Sequence, residues 1–204
     1  FLRDYPIHVL HNGTDLKTFS PKSSLDLNRK FGTAGKKYVL GVAAPWSQRK
    51  GLDDVIELSR QLDGSEYQIL LVGLSQEQIR ALPSEIIGIE RTQNVQELSG
   101  YYAGADVFIN PTLEDNFPTT NLEALSCGTP VITFATGGSP EAIDASCGKV
   151  VPKGDVDALL VAILDMEESP VLKESCILKS RQYDKEERFR EYIKLYEDIL
   201  EADK

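Results

Sequence analysis

The sequence predicts an α/β domain with a Rossmann-like parallel sheet of about six strands, helices on both faces and a long C-terminal helix. Three observations lead to this fold class. Apolar runs of strand length recur along the 204 residues, and each is followed by a stretch of helical spacing. Such alternation requires a parallel sheet with helices on its faces. Hydrophobic residues make up 41% and charged residues 26% of the chain, as is ordinary for one large domain or a domain plus an appendage.

The first half of the chain alternates strands and helices. Strands are predicted at 38–44, 68–73, 86–90 and 106–110, and helices at 52–62, 75–82 and 95–103. The helix at 52–62 has apolar residues at helical spacing, and Asp53 and Asp54 lie in its first turn, where negative charge is favoured. Pro83 and Pro111 mark the ends of a helix and of a strand.

The second half continues the pattern. Helices are predicted at 120–126, 156–166 and 184–202, and strands at 130–134 and 148–151. The first of these helices ends near Gly128, and Gly137-Gly138 makes a tight turn. Ser139 is predicted to cap a further helix that has Pro140 at its first position. The long last helix carries one apolar stripe, formed by Phe189, Tyr192, Ile193, Tyr196, Ile199 and Leu200.

Charge and cysteine content narrow the function classes. A net charge of −10 argues against a nucleic-acid partner, which normally needs a basic face, but leaves room for a small phosphate ligand. Cys127, Cys147 and Cys176 form no CxxC pair, which indicates core thiols in a reducing, cytoplasmic compartment and no metal site. No apolar run reaches the ~18 residues of a membrane span. No signal peptide is visible, and because the chain starts at Phe1 we expect a fragment.

The most informative segment runs from Asp115 to Pro130. Asp115 and Glu123 are separated by seven residues across a predicted loop-to-helix junction. A helix N-terminus offers free N–H groups and a positive dipole end, which suit a phosphate. A carboxylate inside the first turns can accept two hydrogen bonds from a ribose diol, and a carboxylate before the helix can do the same for a sugar. The segment therefore has the groups to hold a nucleotide-sugar from both ends.

This segment resembles the acid-x7-acid signature of the retaining group 1 (family four) glycosyltransferases, enzymes of the GT-B fold. The match covers Phe117, Glu123, Ala124, Gly128, Pro130 and Val131, with Asp115 in place of the first Glu and Pro118 in place of a Gly. Residues 9–21 also resemble the family's passage into its second domain, with N-G-x-D followed by F-x-P. The resemblance implies an interdomain linker and leading strand at 1–20, a nucleotide-sugar-binding domain at 21–183 and the C-terminal helix at 184–204. The N-terminal, acceptor-binding domain is absent from these residues.

The resemblance also implies roles for individual residues. Glu123 would hold the donor ribose, Asp115 the hydroxyls of the transferred sugar, and Lys50 the departing diphosphate. Arg49 stands near the place of a family Arg that closes the first strand, where this chain has Val42-Ala43-Ala44. The nucleobase loop corresponds to Thr92 and Gln93. The remaining donor-binding positions are Asn116, Phe117, Pro118, Thr119 and Thr120.

Plainer interpretations stay open for several of these residues. Glu123 alone can be a solvated helix residue, Asp115 a loop residue that caps a turn, and Arg49 with Lys50 a solvated basic turn. Thr92 and Gln93 can be plain loop residues. Trp46 can belong to the core or to a pocket wall, whereas His11 and Asn12 are interpreted as structural.

The predicted function is the donor-binding half of a retaining glycosyltransferase that makes a glycan or a lipid-linked saccharide in polysaccharide biosynthesis. The donor would be a UDP- or GDP-type sugar, with no metal or other cofactor, because a helix end and Lys50 replace a cation. The enzyme would be cytoplasmic, peripheral to the membrane through the missing domain, and this fragment alone would be inactive. Two alternatives remain: a nucleotide-sugar epimerase or phosphorylase on the same fold, and a non-catalytic interaction domain. Sugar, base, acceptor, linkage and oligomeric state are left open.

Overall fold

The computed structural model describes residues 7–202 and contains one six-stranded sheet in which every pair of neighbours is parallel. The strands are β1 (Lys37–Val42), β2 (Tyr67–Val72), β3 (Ile86–Ile89), β4 (Val107–Asn110), β5 (Val131–Phe134) and β6 (Gly148–Val151). Their order is β3-β2-β1-β4-β5-β6, the doubly wound arrangement of Rossmann-like domains. The predicted fold class is confirmed, and the predicted strands agree with the observed ones to within two residues.

Eight α-helices connect and cover the strands over residues 7–202. They are α1 (Leu27–Phe31), α2 (Leu52–Gln61), α3 (Gln76–Ala81), α4 (Val95–Gly104), α5 (Thr119–Ser126), α6 (Val156–Glu168), α7 (Lys173–Ser180) and α8 (Lys185–Ala202). Sequence reasoning missed α1, which is only five residues long, and α7. The periodicity of α7 is weak, because its buried residues are only Cys176 and Ser180 while Leu178 is exposed.

Two apolar layers lie on opposite faces of the sheet, because successive strand residues point to opposite sides. On one face Leu40 and Leu70 pack with Tyr102 of α4 and Leu125 of α5. On the other face, the strand residues Val39 and Leu71 pack with helices α2 and α6, which contribute Val55, Leu58 and Leu159. Burying one such Leu side chain stabilises the fold by roughly 1.5–3 kcal/mol.

The cysteines and the tryptophan are core residues. All three cysteines are free and buried in the first layer, which confirms their interpretation as small apolar residues. Trp46 is 4% exposed in the second layer, and its indole N–H donates to the carbonyl of Val72 at 2.8 Å. The open question about Trp46 is therefore decided in favour of the core.

The predicted helix cap at Ser139 is wrong. Residues Ser139–Ala142 form only a short 3-10 turn, whose capping position is Gly138, and no longer helix follows. The Ser139 hydroxyl instead pairs with the hydroxyl of Thr133 at 2.6 Å and lies 3.3 Å from the amide nitrogen of Asn121. A buried polar network thus takes the hydroxyl that the sequence pattern assigned to a helix end.

The N-terminal segment, residues 10–15, lies against α8 and the residues just before it. Residues 7–13 contain no strand, residues 1–6 lie outside the described part, and the one β pairing nearby is an isolated parallel bridge between Thr14 and Asp184. Thr14 N–H donates to Tyr183 at 2.8 Å, and Lys185 Nζ lies 2.8 Å from Asp15 Oδ2. The division of the chain into linker, domain and terminal helix stays a prediction.

The apolar stripe of α8 is largely exposed. Its members Phe189, Ile193, Tyr196, Ile199 and Leu200 are between 45% and 65% exposed. None of the helices over residues 7–202 combines the length and the apolar character that crossing a membrane would require.

Candidate functional site

The predicted site residues converge on the carboxyl edge of the sheet. The strand order reverses between the parallel strands β1 and β4, because β1 is followed by β2 on one side of the sheet and β4 by β5 on the other. In open α/β sheets, ligands bind in the crevice outside such a switch point. The loop after β1 carries Arg49 and Lys50, and the loop after β4 carries Asp115 to Pro118. The fold alone therefore places these two loops side by side.

Backbone contacts hold the two loops together. Leu113 N–H donates to the Arg49 carbonyl at 2.8 Å, and one guanidinium nitrogen of Arg49 donates to the Glu114 carbonyl at 3.0 Å. At Gly51, where φ is +77°, a Cβ would lie 2.1 Å from the Pro111 carbonyl oxygen, so only glycine permits this approach. Arg49 thus serves as an exposed clamp between the loops, and its predicted contact with the donor stays a prediction.

Lys50 and Asp115 form an ion pair across the crevice. Lys50 Nζ lies 2.6 Å from Asp115 Oδ2, and the two side chains are 23% and 16% exposed. Charge-assisted bonds of this kind are stronger than neutral ones, and partial burial reduces their screening by salt. The structure therefore brings together two residues that lie 65 positions apart in the sequence, and both were predicted to touch the donor.

The turn after β5 shapes the loop that carries Asp115. A Cβ on Gly137, where φ is +47°, would lie 1.9 Å from the Asp115 carbonyl oxygen. A Cβ on Gly138 would lie 1.9 Å from the carbonyl oxygen of Asn116, and Gly138 N–H donates to Asp115 at 3.3 Å. The Gly137-Gly138 pair is a tight turn, as predicted, and it fixes the position of the neighbouring loop.

We expect Gly137→Ala to lower the free energy of unfolding by about 1–3 kcal/mol, since it adds backbone strain and a clash with Asp115. Chemical denaturation measures this change. Gly154→Ala is the matched control, because φ is +74° there but no atom lies within 4 Å of the added Cβ. Equal losses in the two variants would show that the approach to Asp115 has no energetic importance.

The N-terminus of α5 is open and points to the same edge. Pro118 caps the helix without a side-chain hydrogen bond, and no acidic residue lies in the first turn. Within the described residues, the N–H groups of Thr119 and Thr120 donate to no partner outside the helix. Free N–H groups at the positive end of a helix form a ready-made anion site.

Glu123 lies one turn further along α5, half-buried. Its Oε2 accepts a hydrogen bond at 3.0 Å from the hydroxyl of Tyr102, a fully buried residue of α4. Burial raises the pKa of Glu123, while hydrogen bonds from Tyr102 and Thr119 act in the opposite direction. Glu123 is therefore neither a freely solvated helix residue nor fully paired, because a carboxylate can accept further hydrogen bonds.

A buried amide network holds α5 in place. Asn110 at the end of β4 donates to Asn121 Oδ1 at 2.8 Å, and Asn121 Nδ2 donates to the Ser139 carbonyl at 3.1 Å. Sequence reasoning missed Asn110, Asn121 and the Tyr102 partner of Glu123. Their side chains come from different elements, so only the fold reveals that they meet.

The loop after β3 lies at the same edge. Gln93 N–H donates to Glu97 Oε2 at 2.7 Å, and Lys30 lies 2.9 Å from the other oxygen of this carboxylate. The Gln93 and Lys30 hydrogen bonds lower the pKa of Glu97 to about 2. Thr92 is half-buried and the Gln93 side chain is exposed. The contact of Thr92 and Gln93 with the donor stays a prediction.

Comparison with known proteins places this geometry in a family. Residues 36–169, more than half of the chain, match the family model described as Glycosyl transferases group 1. The chain belongs to this family. The resemblance seen in the signature segment is thereby confirmed, and the matched residues include Lys50, Asp115 and Glu123.

Several glycosyltransferases are similar to this group 1 chain. The GDP-mannose-dependent monoacylated alpha-(1-6)-phosphatidylinositol monomannoside mannosyltransferase of Corynebacterium glutamicum is 28% identical over 184 residues, which cover 79% of this chain and 47% of that protein. The D-inositol 3-phosphate glycosyltransferase of Corynebacterium jeikeium is 27% identical over 221 aligned residues, with coverage of 96% and 52%. The chain thus spans about half the length of these relatives.

Solved structures agree with the group 1 fold. Sucrose-phosphate synthase from Thermosynechococcus elongatus superimposes with a TM-score of 0.82 at 23% identity, over 98% of this chain and 56% of that one. Anabaena HepE, solved in complex with UDP-glucose, superimposes with a TM-score of 0.79 at 19% identity, over 94% and 57%. The predicted glycosyltransferase domain is confirmed, and the epimerase, phosphorylase and interaction-domain alternatives find no support.

Proposed function

We propose that this group 1 glycosyltransferase domain binds a nucleoside diphosphate sugar in the crevice between the loops after β1 and β4. One observation carries the proposal. The Lys50–Asp115 pair, the open N-terminus of α5 and Glu123 lie along one short stretch of the same sheet edge. This arrangement offers positive charge for a diphosphate, flanked by one carboxylate on each side for hydroxyl groups.

Each part of the donor has a matching group. The diphosphate would accept hydrogen bonds from Thr119 N–H and Thr120 N–H and from Lys50. Glu123 would accept from the ribose hydroxyls and Asp115 from those of the sugar. The nucleobase would lie near the loop with Thr92 and Gln93, and Asn116 with Phe117 and Pro118 would form the wall between sugar and phosphate.

The proposed reaction is retaining sugar transfer. The bond between the sugar C1 and the diphosphate oxygen breaks, and Lys50 with the α5 N-terminus stabilises the negative charge that develops on the departing phosphate. The acceptor hydroxyl attacks C1 on the face that the diphosphate leaves, and its proton passes to a phosphate oxygen. Neither Asp115 nor Glu123 has to remove a proton in this scheme. We expect no metal requirement, because the lysine and the helix end supply the positive charge.

The donor is proposed to be a GDP- or UDP-type sugar. The relative from Corynebacterium glutamicum is named GDP-mannose-dependent, and the HepE structure contains UDP-glucose, so both nucleotides fit relatives of this fold. The acceptor is proposed to be a glycan or lipid-linked saccharide, bound through an N-terminal domain outside these 204 residues. We place the enzyme in the cytoplasm, at the membrane surface through that domain.

We expect the 204-residue chain to bind a nucleotide-sugar but to transfer no sugar. The groups proposed for the donor are all within it, whereas alignment of an attacking hydroxyl, which can supply several kcal/mol of barrier lowering, depends on the second domain. Calorimetric titration with UDP-, GDP-, ADP- and dTDP-sugars measures binding, and product analysis with the same donors measures transfer. Absence of heat with every nucleotide would contradict the proposed function, and robust sugar transfer would contradict the half-enzyme interpretation.

A further inference from the structure

The N-terminal segment reaches the donor loop through the His11 side chain. The His11 ring lies 4.5 Å from the Phe117 ring between centroids, with an angle of 38° between the planes. Tyr183 completes the group, at 5.6 Å from Phe117 and 6.2 Å from His11. We refer to His11, Phe117 and Tyr183 as the three-ring cluster. Its members are more than 60 residues apart in the sequence.

Phe117 is the residue through which this cluster can act on the site. It lies two positions after Asp115 and two before Thr119, so its backbone joins the proposed sugar contact to the proposed phosphate contact. The preceding carbonyls of Asp115 and Asn116 are pressed against the Gly137-Gly138 turn. Phe117 therefore has little freedom to move without moving both contacts.

His11 also contacts the turn that lies beside this loop. Its Nε2 lies 2.6 Å from Glu141 Oε2, and Glu141 belongs to the 3-10 turn that directly follows Gly137-Gly138. The His11 imidazole thus contacts both the Asp115 loop, through Phe117, and the adjacent turn, through Glu141. The His11 and Glu141 side chains are 31% and 51% exposed, so water screens this pair strongly and it contributes little. The ring contact with Phe117 is the larger interaction, because aromatic pairs contribute beyond the area they bury.

The cluster is tied to both chain segments at the edge of the domain. The Tyr183 carbonyl accepts a hydrogen bond from the N–H of Thr14, and Tyr183 lies two residues before the start of α8, where Lys185 pairs with Asp15. A Cβ on Gly13 would lie 2.5 Å from the Lys185 Cα, so the two segments are in close contact. Displacement of the N-terminal segment would therefore pull on the ring that holds Phe117.

We propose that His11 is a positioning residue for the donor site. Its ring holds Phe117, and with it the loop from Asp115 to Thr120, so that affinity for the diphosphate and the sugar depends on where the N-terminal segment lies. This inference rests on the proposed function, because it assumes that the donor binds beside this loop.

The test compares the wild-type chain with His11→Ala, His11→Gln and His11→Phe in calorimetric titrations with GDP, UDP, GDP-mannose and UDP-glucose. His11→Ala and His11→Gln are expected to lower the affinity for the best donor by roughly two- to tenfold, the range of an aromatic pair. His11→Phe keeps a ring but loses the bond to Glu141, and it is expected to restore affinity to within about twofold of wild type. A merely structural His11 would show no such rescue by a ring alone.

Two further variants serve as controls. Glu141→Gln keeps the imidazole and the ring contact, and Tyr192→Phe removes only the hydrogen bond to the Leu10 carbonyl, next to His11. Both are expected to bind the donor like wild type, and thermal denaturation checks that every variant folds. Wild-type affinity in folded His11→Ala, or rescue by Gln but not by Phe, would overturn the positioning role. Failure of the wild-type chain to bind any of the four nucleotides would instead overturn the proposed function itself.

Discussion

Glu123→Gln is expected to remove most of the affinity for nucleotide while making the domain more stable. The carboxylate is proposed to accept from both ribose hydroxyls, and an amide keeps the shape but loses the charge and one acceptor. Loss of a charge-assisted interaction costs roughly 1.5–3 kcal/mol, or about ten- to a hundredfold in affinity. Calorimetry with GDP and UDP measures the loss, which should appear with both nucleotides because every donor contains the ribose.

Stability should change in the opposite direction, because burial raises the pKa of Glu123 above its ordinary 4.5. The folded state then holds the proton more tightly than the unfolded state. This contribution to stability is fully present below the unfolded pKa and is lost as the pH rises through the folded pKa. At neutral pH the buried charge therefore costs free energy, which glutamine avoids. We expect Glu123→Gln to raise the free energy of unfolding by about 0.5–2 kcal/mol, the range common for single stabilising substitutions.

Chemical denaturation at two pH values checks this stability change. The difference between wild type and Glu123→Gln should be larger at pH 7 than at pH 4, because burial raises the pKa of Glu123 and the carboxyl carries less charge at the lower pH. Glu77→Gln, at an exposed position in the first turn of α3, is the control for loss of one negative charge. Wild-type nucleotide affinity in Glu123→Gln would remove the ribose assignment, and an unchanged stability would mean that Glu123 is solvated in the free protein.

The architecture could be predicted from the sequence because its signals are local. The apolar run at 67–72 indicates a strand and the apolar spacing at 52–61 indicates a helix, each from its own residues alone. The parallel topology follows from the alternation of such elements. Helix α7 was missed because it packs through few residues, so its pattern lacks a clear apolar face. The cap predicted at Ser139 failed because a buried network with Thr133 and Asn121 outweighs a local preference.

The sequence predicted those parts of the site that lie together in one short segment. Asp115 and Glu123 lie within nine residues of each other, so spacing alone indicates a common role, whereas their partners Lys50 and Tyr102 come from other elements. His11 was interpreted as structural because nothing in the chain links it to Phe117, 106 positions later. Contacts between distant segments depend on the final packing of loops, for which no periodic signal exists.

Lys50→Ala and Asp115→Asn are expected to shift diphosphate affinity in opposite directions. In the free protein the Lys50 ammonium is bound to Asp115 at 2.6 Å, so a diphosphate must compete with this carboxylate for it. Lys50→Ala removes a charge-assisted bond to the phosphate and should lower affinity for GDP or UDP about ten- to a hundredfold. Asp115→Asn releases Lys50 and removes a like charge near the phosphates. Its affinity for the free diphosphate should rise about two- to fivefold, as expected from loss of a pair worth up to about 1 kcal/mol.

The sugar distinguishes the two roles of Asp115. Asparagine offers one acceptor where the carboxylate offers two, so Asp115→Asn should gain affinity for GDP or UDP while it loses the added affinity for the corresponding nucleotide-sugar. Glu114→Gln is the matched control, because Glu114 is the neighbour of Asp115 and its exposed side chain carries the same charge. A rise in diphosphate affinity of similar size in Glu114→Gln would mean that the lower net negative charge, and not the release of Lys50, causes the effect. A fall in diphosphate affinity in Asp115→Asn would show that the carboxylate orients Lys50 for the phosphate, and does not compete for it.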